Sequence, residues 1–112
     1  MENSNIVFLG TEIKLNIHID PIGELTMADY DFTVEAYCSA KKSLIIEKSD
    51  AIPVVGADGK TNDYIILIDT SEIGTGNLKC KITAYIPDGD FEDTERTEVS
   101  IKETGIEIVK SI

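Results

Sequence analysis

Residues 78–86 set apolar and polar side chains in strict alternation. Leu78, Cys80, Ile82, Ala84 and Ile86 occupy one phase, and Lys79, Lys81, Thr83 and Tyr85 the other. A period of two divides a strand into a buried face and a wet face, and it cannot do the same for a helix of period 3.6. The pattern recurs. Ile13, Leu15, Ile17 and Ile19 alternate with Lys14, Asn16 and His18, and Phe32, Val34, Ala36 and Cys38 alternate with Thr33, Glu35 and Tyr37. Shorter strands are expected at 6–9, 44–47, 97–101 and 106–109. Pro21, Gly23, Pro87 and Gly105 punctuate them, and Pro53 and Gly56 break a loop. Asp58-Gly59 predicts a hairpin whose return strand begins near Asp63. Asp69, Thr70 or Ser71 is expected to cap one helical turn that Gly74 ends. The result is an all-β chain of about seven or eight antiparallel strands, a sandwich or a barrel, in a single domain over residues 1–112.

Charge narrows the function classes. The chain carries 21 acids against 10 bases in 112 residues, a formal net charge of −11. Such a chain is repelled by phosphate backbones and by anionic bilayers, so neither nucleic acid nor membrane is an expected partner. The longest wholly apolar run, 64–68, is far short of the roughly 20 residues of a membrane helix. It is apolar on both phases, as a strand is when both faces are covered or one meets a partner. Tyr64 is therefore a candidate contact residue, as is Ile112 at the apolar C-terminus. The opening Met-Glu-Asn-Ser-Asn has no basic region followed by an apolar stretch, so a reducing compartment is expected. Cys38 and Cys80 are then expected to be free, buried thiols, with a bridge between facing sheets as the alternative. A catalytic thiol is not expected, since neither has a histidine nearby in sequence.

Other residues carry a sharper chemistry beside a plainer one. His18, the one histidine, sits on a polar phase and is expected to be solvated. Alone it cannot build a zinc site of the usual ligand type. Asp88, Asp90, Glu92, Asp93 and Glu95 crowd one loop that could offer carboxylates to calcium, but Gly89 falls at the wrong place for an EF-hand. A solvated acidic loop is the expectation. Phe91, within it, is expected to fold back over the core, with a partner anchor as the alternative. Tyr37 and Tyr85 fall on outward phases. If their strands are neighbours, they share an exposed face with Glu35, Lys79, Lys81 and Thr83 that could serve as a protein contact or, less naturally without Trp, a sugar platform. The glycines at 74 and 76 lack the lysine and spacing of a phosphate loop. No enclosed cleft, cofactor site or metal site is expected, and no catalysis.

Residues 69–109 carry a resemblance. Asp69-Thr70-Ser71, Gly74, Gly76, Lys79, Ala84 and Ile86-Pro87-Asp88, followed by Asp90-Phe91, Asp93, Arg96-Thr97-Glu98 and Thr104-Gly105-Ile106, resemble a segment of small structural proteins from tailed phages of gut Bacteroidetes, including crAss-like phages. The alternating strand before them is similar to the immunoglobulin-like N-terminal domain of phage baseplate upper proteins. The resemblance implies an immunoglobulin-like β-sandwich and a noncatalytic virion component: a head decoration, head-fibre subunit, or baseplate or tail adaptor. Implied partners are further copies of the chain or other capsid and tail subunits. No receptor-binding region is expected after the domain, so an accessory or adaptor role is the expectation. A small carbohydrate-binding or adhesion module is the first alternative. An acidic inhibitor that mimics DNA is the second.

Overall fold

The computed structural model describes residues 5–39 and 42–111. Eight strands follow one another: β1 (Asn5–Phe8), β2 (Glu12–His18), β3 (Asp31–Ser39), β4 (Lys42–Glu47), β5 (Ile52–Val55), β6 (Thr61–Asp69), β7 (Gly76–Pro87) and β8 (Glu95–Val109). They form a β-sandwich-like all-β architecture with a five-stranded sheet, β1-β8-β7-β3-β4, and a three-stranded sheet, β2-β6-β5.

The alternation on β3 and β7 does what its period requires. Val34 stands opposite Ile82, and Ala36 opposite Cys80, all turned inward and buried. From the smaller sheet, Ile17, Tyr64, Ile66 and Ile68 close the core. Phe32 and Tyr64 meet edge to face across the sheets, with ring centroids 5.1 Å apart. That geometry suits the opposite charge of ring face and ring edge. The Lys48 amine lies 5.9 Å from both ring centroids and donates to the carbonyls of Tyr30 and Ala28.

Thr70 ties the two sheets together at one end. Fully buried, its hydroxyl donates to the Thr11 carbonyl at 2.8 Å and accepts the Gly10 amide at 2.9 Å. It opens a 3-10 turn, Thr70–Glu72, capped by the Asp69 carboxylate, which accepts the Ser71 amide. That acceptance holds the Asp69 carboxyl below its ordinary value, the Ser71 hydroxyl contributing first. Gly74, at φ +97°, lets the chain leave the turn in the left-handed region.

Several expectations need correction. The larger sheet is mixed, because β1 pairs in parallel with the end of β8, Asn5 opposite Ile106 and Phe8 opposite Val109. The loop expected around Pro53 contains β5. This four-residue edge strand tolerates the proline because an outward edge position needs no amide donor. The Asp58-Gly59 hairpin forms, with Gly59 at φ +80° and the return strand starting earlier, at Thr61. Residues 106–109 are not a separate strand. They continue β8 beyond an irregularity in its pairing with β7, where Gly105 at φ +79° bends the strand without ending it.

Candidate interaction surface

The register of the larger sheet arranges its outer face in rows. Ser43, Tyr37, Lys79 and Glu103 stand side by side across β4, β3, β7 and β8. The next row is Ile45, Glu35, Lys81 and Ile101, and the next Glu47, Thr33, Thr83 and Val99. Ile45, Ile101 and Val99 are exposed at 62%, 58% and 55%, so apolar groups flank a charged centre. Tyr37 and Tyr85 lie on this face and are half-buried, but Tyr37 opposes Lys79 while Tyr85 opposes Asp31 at the other end of the ladder. They share a face without forming a stacking platform.

Tyr64 is not a contact residue. Its inward position opposite Ile17 buries it against Phe32. The outward residues of that apolar run are Ile65, partly buried opposite Asn16, and Leu67, half exposed opposite Lys14. Phe91 is not a plug. It stands half exposed in the turn after β7, because Asp88 holds that turn away from the core: its carboxylate accepts from Arg96 at 3.0 Å and its amide donates to the Thr94 carbonyl. Arg96 also donates to Glu98. Glu98, and then Asp88, raise the guanidinium further above its ordinary value. Ile112 lies outside the described residues.

The first half of β8 is the feature that sequence reasoning missed. Residues 95–103 are exposed on both faces except for half-buried Arg96. On the inner side Glu98, Ser100 and Lys102 overhang two adjoining grooves, of about 360 and 370 Å³, between β2 and β8. The smaller sheet does not reach under this ribbon. Along its free edge β8 has no strand partner among the described residues until β1 joins at Ile106.

His18 borders both grooves and is not simply solvated. Its ring nitrogens lie 2.9 Å from Asp20 and 2.6 Å from Asp63. Those bonds, Asp20 first and Asp63 second, raise its pKa above 6.5. A raised folded pKa means that the stabilisation is complete below the unfolded value and disappears as pH rises through the folded one. The side chain is half exposed, so the effect is under about 1 kcal/mol. Melting curves of the parent and His18→Gln are expected to differ at mildly acidic pH and to converge at alkaline pH. A gap unchanged across that range would show that the charged pair contributes nothing.

Both cysteines are free thiols in one sheet, not facing sheets. Burial pushes the Cys80 thiol up to about 11 and raises Cys38 too, which keeps both protonated and unreactive near neutrality. Among the described residues no group of three or more His, Cys, Asp or Glu side chains is placed to hold a metal ion. Nor is any helix among them long and apolar enough to cross a membrane. Compared with protein-family models, curated proteins and solved structures, the chain finds no significant match.

Proposed function

We propose that the chain is a noncatalytic, immunoglobulin-like building block of a tailed-phage or prophage particle, working through contacts with neighbouring subunits. The observation that carries this reading is the placement of exposed apolar side chains on several sides of the molecule. Ile45, Val99 and Ile101 lie on one sheet, Ile52 and Leu67 on the other, and Ile6 and Phe8 at the β1 edge. A module for one small ligand concentrates such groups in one pocket, whereas here Val99 and Ile101 adjoin on the outer face of β8 and Ile6 and Phe8 alternate along β1, and adjoining exposed apolar groups are what marks a protein contact.

The strand orders support the immunoglobulin-like reading. β2-β6-β5 corresponds to the B-E-D sheet of that fold, and β8-β7-β3-β4 to its G-F-C-C′ sheet. The sequence hallmarks of antibody domains are absent: Cys80 lies on β7 but β2 has no cysteine to meet it, and β3 has no Trp.

Particles purified by density gradient from an induced or infected culture test the role. The chain is expected to band with capsid and tail proteins at a fixed ratio and to crosslink to them. Its recovery only in the particle-free fraction would refute the reading.

A further inference from the structure

We propose that two copies of this chain associate through the free edge of β8, pairing antiparallel about Ser100 so that their five-stranded sheets join into one. The inference deepens the assembly reading by naming the partner as a second copy.

The edge itself invites pairing. An unpaired strand edge presents a row of amide and carbonyl groups that another strand can satisfy, and proteins usually guard such edges with proline, shortness, bulges or charged side chains. Of the other edge strands, β5 has Pro53 and 4 residues, β1 has 4, β4 has 6 and β2 has 7. The open stretch of β8 is longer than any of these and has no proline, its irregularity comes only at its end, near Gly105, and its charges, Glu98 and Lys102 among them, are of both signs, so they repel some partners and suit others. The hairpin turn before Glu95 bounds the stretch on one side, and β1 at Ile106 bounds it on the other. Ser100 is its midpoint.

A two-fold axis through that midpoint gives complementary neighbours. Antiparallel strands related in this way place residue faces together, so Glu98 of each copy meets Lys102 of the other on the groove side. Val99 meets Ile101 on the outer side. The Lys102 side chain has no hydrogen-bond or ion-pair partner within its own chain among the described residues. Sliding one strand by two residues toward a Val99 centre sets Arg96 against Lys102, like against like. Sliding it toward an Ile101 centre sets Val99 against Glu103 and separates both favourable pairs. A slide of one residue turns apolar faces against polar ones. The midpoint of the free edge and the register of best complementarity therefore coincide. The net charge of −11 per chain opposes association at long range, but physiological salt screens it beyond about 8 Å, while the facing pairs act at contact.

Two single charge reversals test the register. Glu98→Lys sets lysine against lysine in a pair of like copies, and Lys102→Glu sets glutamate against glutamate. Both positions are exposed, and circular dichroism checks that each variant keeps its strands. In sedimentation at physiological salt the parent is expected to dimerise and each variant alone to dissociate at least about tenfold more readily, the effect of losing close charge complementarity. Mixed one to one, the variants are expected to recover a heterodimer, because every facing pair is again opposite in sign. A parent that stays monomeric at high concentration overturns the proposal, leaving the particle role to be judged by co-banding. A dimer that both variants retain also overturns it, while keeping self-assembly at another surface. Variants that dissociate but do not recover on mixing overturn the register and with it the proposal.

Discussion

Phe32→Ala is expected to destabilise the fold by about 3–5 kcal/mol, the range for truncating a large buried ring. Phe32 is fully buried and meets Tyr64 from the opposite sheet, so the substitution removes ring contact from both layers at once. It also strips one of the two rings beneath the Lys48 amine, although that amine keeps its two carbonyl acceptors. Small domains have a total stability of only about 5–15 kcal/mol, so a large part of it is at stake. Urea titration is the direct measure: the midpoint should fall sharply with little change in slope. A loss below about 1 kcal/mol would mean that the two sheets close over the gap, contrary to the tight packing of the core.

Gly76→Val is expected to cost about 2–5 kcal/mol through backbone strain and overpacking together. Gly76 opens β7 at φ +129°, a backbone conformation that side chains with a Cβ resist. A Cβ there would also lie 3.1 Å from the Cβ of Cys38 on the adjacent strand. Gly89 provides the control. It has no positive φ, and a methyl group at its Cβ position would meet nothing within 4 Å, so Gly89→Ala should be nearly neutral in the same urea titration. Equal effects at the two positions would contradict this explanation.

The long strands were legible because each packs one face against the core, and alternation in 13–19, 32–38 and 78–86 records that directly. The candidate surface was harder to read, for reasons that lie in pairing. Residues 64–68 are apolar on both phases, so only the register against β2 tells that Tyr64 points inward and Leu67 outward. Thr97, Val99 and Ile101 mark a strand correctly, yet this apolar phase lies on the outer face beside Thr83 and Lys81, while the polar phase of Glu98, Ser100 and Lys102 overhangs the grooves that the smaller sheet leaves open. The parallel pairing of β1 leaves no local trace, since four residues carry no information about a partner from the far end of the chain. Phe91 was misplaced because transfer energy favours burial of any isolated ring, while the Asp88–Arg96 contact fixes the turn that carries it.

The pairing of β1 with β8 bears on when the chain can fold during synthesis. Residues 106–109 are among the last described residues to leave the ribosome, yet they hold the first strand in the sheet and supply buried Ile108. Until they emerge, Gly76 and Asn77 at the start of β7 lack their partners and β1 has no place to dock. Closure between distant segments is also slow, on the order of milliseconds to seconds for folds of this kind. The domain should therefore complete itself only after Val109 has cleared the exit tunnel, not strand by strand as the chain appears. During that interval the nascent β3–β4 and β5–β6 hairpins would stand without their full cover.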